Sequence, residues 1–169
     1  MQVFFISFLL NTLAFGQIKE EFLDFNTSLI NNSIPSKLSK AQLILSLGKP
    51  TKIEVYDGEC GLTEEQEKAK QRNWYYYNGT KFFIYDNNAD IVELNFRSGK
   101  FTYTTSKIKL SNVTTFQDLQ KVYPASTKAA IIENGGDMVR IRPCSDCDGY
   151  CILYFEKGRL VKLEWWEPC

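Results

Sequence analysis

The sequence predicts an α+β fold made of two tandem helix-plus-antiparallel-sheet repeats, and three observations predict it. "SKAQLILSLGKPTK" (39–52) aligns with "TFQDLQKVYPASTK" (115–128) at an offset of 76, matching Ser39 to Thr115, Leu43 to Leu119 and Leu47 to Tyr123. "ADIVELNF" (89–96) aligns with "GRLVKLEW" (158–165) at an offset of 69, matching Val92 to Val161, Leu94 to Leu163 and Phe96 to Trp165. Both stretches between the matched blocks are rich in aromatic and β-branched residues and punctuated by Gly and Asn, the pattern of antiparallel meanders. The offsets differ by seven residues, and the charged, helix-prone "LTEEQEKAKQR" (62–72) is the candidate insert.

The elements follow in chain order. Residues 1–16 read as a signal peptide: an apolar run from Val3 to Leu10, then Ala14-Phe15-Gly16 with small residues at the positions a signal peptidase reads. That run is shorter than the roughly 20 residues needed to cross a bilayer. Cleavage near Gln17 predicts an exported, soluble chain, periplasmic or secreted, with no membrane span. In residues 17–34, Ile18, Phe22, Phe25 and Leu29 fall on one face of an amphipathic helix. The first repeat spans 35–110. Ser39 is placed as a helix N-cap with Gln42 three residues on, a capping box, and Gly48-Lys49-Pro50 ends the helix. Strands are expected at Lys52–Tyr56, Trp74–Tyr77, Phe82–Tyr85, Ile91–Phe96 and Phe101–Thr105, with turns at Asn78-Gly79, Asp86-Asn87-Asn88 and Ser98-Gly99. The second repeat spans 111–169. It is read as a helix over Thr115–Tyr123 broken by Pro124, then strands near Lys128–Glu133, Met138–Arg142, Tyr150–Phe155 and Leu160–Trp166.

These elements resemble a known family. The helix ending in Leu47-Gly48-Lys49-Pro50, the aromatic strand Trp74-Tyr75-Tyr76-Tyr77 and "KFFIYDNNADIVELNF" (81–96) resemble the small envelope domain of the SmpA/BamE-type outer-membrane assembly lipoproteins. The tandem arrangement is similar to the β-lactamase inhibitory protein fold. The resemblance implies a helix pair packed on an antiparallel sheet, duplicated across residues 35–167. It also implies non-enzymatic work in the envelope or outside the cell, through protein–protein contact on the sheet. The chain departs from the lipoproteins in having no cysteine near the cleavage point.

Composition narrows the chemistry. Lys+Arg and Asp+Glu both total 20, so the chain is formally neutral, which argues against general nucleic-acid or anionic-membrane binding. Histidine is absent. That removes histidine bases, Ser-His-Asp triads and mixed Cys/His zinc sites. The run Asp86, Asn88, Asp90 starts like a calcium loop, but Ile91 stands where glycine is required and Arg97 where the closing glutamate belongs. No cofactor or metal is expected.

Three of the five cysteines crowd into "CSDCDGYC" (144–151). A zinc reading lacks a second Cys-x2-Cys half. A redox reading is opposed by Asp146 and Asp148, which flank Cys147 and raise its pKa. A structural staple remains, because exported thiols oxidise. Cys144 and Cys151 are expected to face each other at the base of a hairpin loop. Two bridges and one free thiol among Cys60, Cys144, Cys147, Cys151 and Cys169 is the expected arithmetic, with the other pairings open.

The functional lead is aromatic. Strand alternation puts Trp74 and Tyr76 on one face and Tyr75 and Tyr77 on the other, and sends Trp165 and Trp166 opposite ways. Tryptophan and tyrosine are enriched at binding hot spots. Tyr75, Tyr77 and one of the two tryptophans are expected to share an exposed surface that binds a protein partner. The alternatives are a carboxylate-dependent hydrolase using the acidic loops, and a structural envelope component with no specific ligand.

Overall fold

A computed structural model describes residues 20–58 and 62–168. The signal-peptide reading, Ile18, Cys60 and Cys169 lie outside the described residues. From Glu20 to Ile34 the chain forms no helix. Phe22 bridges Arg142 in parallel, and Leu23 N donates to Arg142 O at 3.0 Å. Two short strands follow, β1 (Leu29–Ile30) and β2 (Ile34–Pro35). The expected amphipathic helix fails because Asp24, Asn31 and Asn32 adopt positive φ, closing tight turns that a right-handed helix cannot accommodate. Leu23 and Ile30, both off the predicted apolar face, are the fully buried residues of this segment.

β3 (Lys37–Ser39) leads into α1 (Lys40–Leu47), and the predicted capping box forms. Ser39 Oγ accepts from Gln42 N at 3.2 Å, and Gln42 Oε1 accepts from Ser39 N at 2.9 Å. Gly48 ends the helix at φ +79°, where a side chain would be strained. β4 (Lys52–Val55) follows, then the insert as α2 (Glu64–Lys68), capped by Thr63. A meander of β5 (Arg72–Tyr77), β6 (Thr80–Tyr85) and β7 (Asn88–Asn95) turns at Asn78-Gly79 and Asp86-Asn87. Asp86 Oδ1 accepts from Lys70 N and Gln71 N, both at 3.1 Å, so it is a turn residue.

β8 (Tyr103–Thr104) and β9 (Lys109–Leu110) lead to α3 (Phe116–Val122), where Thr115 and Asp118 form a second capping box. α4 (Pro124–Asn134) comes next. A strand near Lys128–Glu133 was expected, and the chain is helical there. Pro124 ends α3 but also supplies the first residue of α4, the one helical position where its missing N–H costs nothing. "ASTKAAIIEN" then carries the helix to Gly135, a left-handed C-cap. The chain closes with β10 (Met138–Ile141), β11 (Tyr150–Glu156) and β12 (Arg159–Trp166).

The result is a mixed α+β fold with four helices and two antiparallel sheets among the described residues. The small sheet runs β2-β1-β8-β9, and the large one runs β10-β11-β12-β7-β6-β5-β4 with β3 on the flank of β7. The two meanders therefore meet along their last strands, β7 and β12. Leu94 pairs with Leu163 at that seam, flanked by Glu93 with Glu164 and Asn95 with Lys162. Both hairpins leading into the seam carry a register shift. Phe82 pairs with Ile91 and Lys81 with Glu93, leaving Val92 as the extra residue. Phe155 pairs with Leu160 and Tyr154 with Lys162, leaving Val161. Each hairpin tip also receives a helix start: Lys40 N donates to Asn87 O at 2.8 Å, and Phe116 N to Gly158 O at 3.0 Å. Leu43 of α1, Leu119 of α3, Leu94, Leu163 and Tyr103 of the small sheet share one buried cluster on a single face of the large sheet.

Candidate functional site

The aromatic strand β5 alternates as expected, but its faces are the reverse of the prediction. Tyr75 and Tyr77 are buried on the helix side: Lys40 Nζ lies 5.7 Å from the Tyr75 ring centroid, and Tyr77 donates to Gly48 O at 3.3 Å. Desolvation pushes the Tyr77 hydroxyl up to about 12. The expected shared surface of Tyr75, Tyr77 and a tryptophan does not form, because α1 packs over their face of the strand. Trp74 and Tyr76 point the other way and are partly exposed. The two tryptophans of β12 split as alternation requires. Trp165 turns to the core, edge-on to Phe25 and Tyr103 at 5.3 and 5.4 Å, while Trp166 is 44% exposed and 6.1 Å from the Tyr150 ring.

The open face is a register of rings and charges. One row across the ladder reads Lys52, Tyr76, Lys81, Glu93, Glu164, Ile152 and Arg140. Lys81 Nζ sits 3.7 Å from the Trp74 centroid, and Lys162 Nζ 4.1 Å from that of Tyr154, both within cation–π range. Glu93 and Glu164 stand directly opposite at the seam, and Lys162 reaches them at 3.6 and 2.7 Å. Burial opposes the Lys162 ammonium, but Glu164 and Glu93 outweigh it and its pKa is raised. Hydrogen bonding to Glu54 pushes Tyr76 up to about 12, while Lys52 foremost holds Glu54 below the usual carboxylate range.

At one end of this face lies a cavity of about 370 Å³. It sits where β12 parts from β7 beyond Glu93 and β3 takes its place against Asp90. Tyr56, Trp74 and Phe83 form one wall, with centroids 5.0–5.2 Å apart, and Trp165 and the Cys144–Cys147 loop form another. Asp90 is buried in the lining and accepts from Gln66 Nε2 at 3.0 Å and Tyr85 OH at 3.2 Å. Desolvation raises its pKa against the pull of Lys37, Gln66 and Tyr85. Gln66 thus ties the insert helix α2 to the sheet, a role its charged neighbours hid in the sequence.

Set against known proteins, the chain matches no family model, no curated protein and no solved structure.

The cysteines require a correction. Cys144 is joined to Cys147, at a Cα separation of 5.3 Å, and Cys151 is a buried free thiol whose pKa burial pushes up. The expected Cys144–Cys151 bridge fails because β10 ends at Ile141, and Ile141 is the residue opposite Cys151. Cys151 points into the core, whereas Cys144 and Cys147 lie in the loop that walls the cavity.

Residues the sequence reading missed are Lys81, Glu93, Tyr150, Tyr154, Lys162 and Glu164. A signal for them existed one strand further on. The cross-strand partners of Tyr75 and Tyr76 are Phe82 and Lys81, so the charge of Lys81 beside the apolar Phe82 marks which face meets the helices.

Proposed function

We propose that this chain is an exported, non-enzymatic protein-binding domain, built from two copies of one helix-plus-meander unit and acting through the open face of its large sheet. The observation that carries the binding reading is that face: Trp74, Tyr76, Tyr150, Tyr154 and Trp166 are partly or well exposed and interleaved with Lys81, Glu93, Lys162 and Glu164. Rigid aromatics on strands offer contact area at low entropic cost, and the alternating charges select the partner.

The duplication is supported by the seam. Leu94 and Leu163, matched to each other by the sequence alignment, are also direct cross-strand partners, as a local two-fold axis between copies requires. Val92 and Val161, matched in the same way, are the extra residues of the two bulges. Ser39 and Thr115 both cap helices whose first amides reach a hairpin tip. Export rests on the leader-like residues 1–16 and on the resemblance to small envelope domains. No helix among the described residues is long and apolar enough to cross a membrane. A hydrolase would need two carboxylates poised across a cleft. The cavity lining holds one buried carboxylate, Asp90, already tied to Gln66 and Tyr85, and one exposed carboxylate, Glu167.

Chemical cross-linking of the tagged protein in its native envelope or secreted fraction tests the reading. A partner captured by the wild type is expected to be lost from the Tyr76→Ala/Trp166→Ala variant, with affinity weakened about tenfold or more and the circular dichroism unchanged. Equal capture by the folded variant would remove the open face from the interaction.

A further inference from the structure

The two edges of the large sheet are treated differently. Along β10 the edge is closed. Leu23 N donates to Arg142 O just past its end, Asn134 Nδ2 of α4 donates to Met138 O at 2.8 Å, and Glu133 pairs with Arg140 at 3.5 Å. Beyond β4, no strand or helix among the described residues continues the sheet. Tyr56 N donates to Arg72 O at 3.0 Å, which sets the phase of the β4–β5 ladder. The amides and carbonyls of Lys52 and Glu54 turn inward to β5, and those of Ile53 and Val55 turn outward.

The side chains on that edge are apolar where they should not be. Ile53 and Val55 are 55% and 77% exposed. Ile53 is the cross-strand neighbour of Tyr75, the ring under α1, so it lies on the helix side of the sheet, where α1 also exposes Leu45 at 87%. An uncovered edge strand with exposed β-branched residues and no internal proline is a template for another strand. Lys52 and Glu54 alternate with these residues on the opposite face.

We propose that the missing strand is β4 of a second copy of this chain, paired antiparallel with Ile53 opposite Ile53. A two-fold axis through that pair makes the contact self-complementary. It sets Lys52 of each copy against Glu54 of the other, two opposite-charge cross-strand pairs on the open face, while the outward groups of Ile53 exchange hydrogen bonds. Charge selects this register. Pairings centred on Lys52 or on Glu54 set like charges against each other, and the intermediate registers leave each charge opposite an uncharged side chain. The chain is formally neutral, so no net repulsion opposes its approach to a copy of itself. The dimer joins the two open faces into one continuous surface, yet it stands or falls independently of what that surface binds.

Sedimentation equilibrium of the full-length chain tests the proposal through a charge exchange. The wild type is expected to show a concentration-dependent monomer–dimer equilibrium. Lys52→Glu alone and Glu54→Lys alone each put like charges across both pairs, and each is expected to weaken the dimer about tenfold. Mixing the two single variants is expected to restore association as a heterodimer, and the double variant Lys52→Glu/Glu54→Lys is expected to restore it as a homodimer. Both positions are at the sheet edge with side chains 61% and 41% exposed, so folding measured by circular dichroism is expected to be unchanged. A wild type that stays monomeric to about 100 μM overturns the proposal, as does a dimer that both single variants leave intact or that mixing fails to restore.

Discussion

Asp90 shows how a single side chain is held against its own chemistry. Burial raises its pKa, so the folded state binds its proton more tightly than the unfolded chain does. Above the ordinary aspartate pKa the native protein carries the cost of a desolvated carboxylate, and the cost disappears once both states are protonated. Asp90→Asn keeps an oxygen for Gln66 and Tyr85 and removes the charge. It is expected to raise the melting temperature at pH 7, with the gain closing near pH 3. A gain equally large at both pH values would contradict that account. Asp90 was legible in the sequence only as part of an abandoned calcium loop, because its partner Gln66 lies in an insert with no counterpart in the second half. The cysteine pairing was illegible for a similar reason. It depends on where β10 stops, and nothing in "RIRPCSDC" announces that Ile141 is the last paired residue.

The elements that could be read were those governed by local chemistry. Ser39 with Gln42 is a complete box in the structure, as is Thr115 with Asp118, and the Asn78-Gly79 tip turns at positive φ as its residues allow. Ser39→Ala and Thr115→Ala are each expected to cost about 1 kcal/mol in urea denaturation, since each leaves an orphaned N–H at the helix start. A loss below about 0.3 kcal/mol at both sites would mean that tertiary packing holds these helix starts without the caps. The elements that misled were those whose local signal points both ways. Pro124 closes one helix and opens the next. Phe22, Phe25 and Leu29 sit at helical spacing in a segment whose Asp24, Asn31 and Asn32 turn the chain instead.

At the scale of the whole molecule, the seam between β7 and β12 decides cooperativity. Leu94 and Leu163 are fully buried in a cluster that also holds residues of α1, α3 and the small sheet. Leu163→Ala is expected to destabilise the protein by about 2–5 kcal/mol, and calorimetry is expected to show one unfolding transition, not two. Two resolved transitions would mean that the halves are separate folding units. Mutual contact of the halves was half legible. The alignment matched Leu94 with Leu163, but a match in sequence does not by itself imply that the two residues touch. Which face of the sheet stays open was legible in β12, where Lys162 and Glu164 flank Leu163, and at Lys81-Phe82 in β6. It was illegible in β5, where every residue from Trp74 to Tyr77 is aromatic.

That seam also constrains how the chain must be made. The strand that completes the middle of the large sheet, β12, comes after every other strand among the described residues. Until β12 arrives, the Glu93–Asn95 stretch of β7 that β3 does not cover stands bare, able to recruit any passing strand from a neighbouring nascent chain. A protein arranged this way gains from any delay that keeps β7 from pairing until β12 has been made.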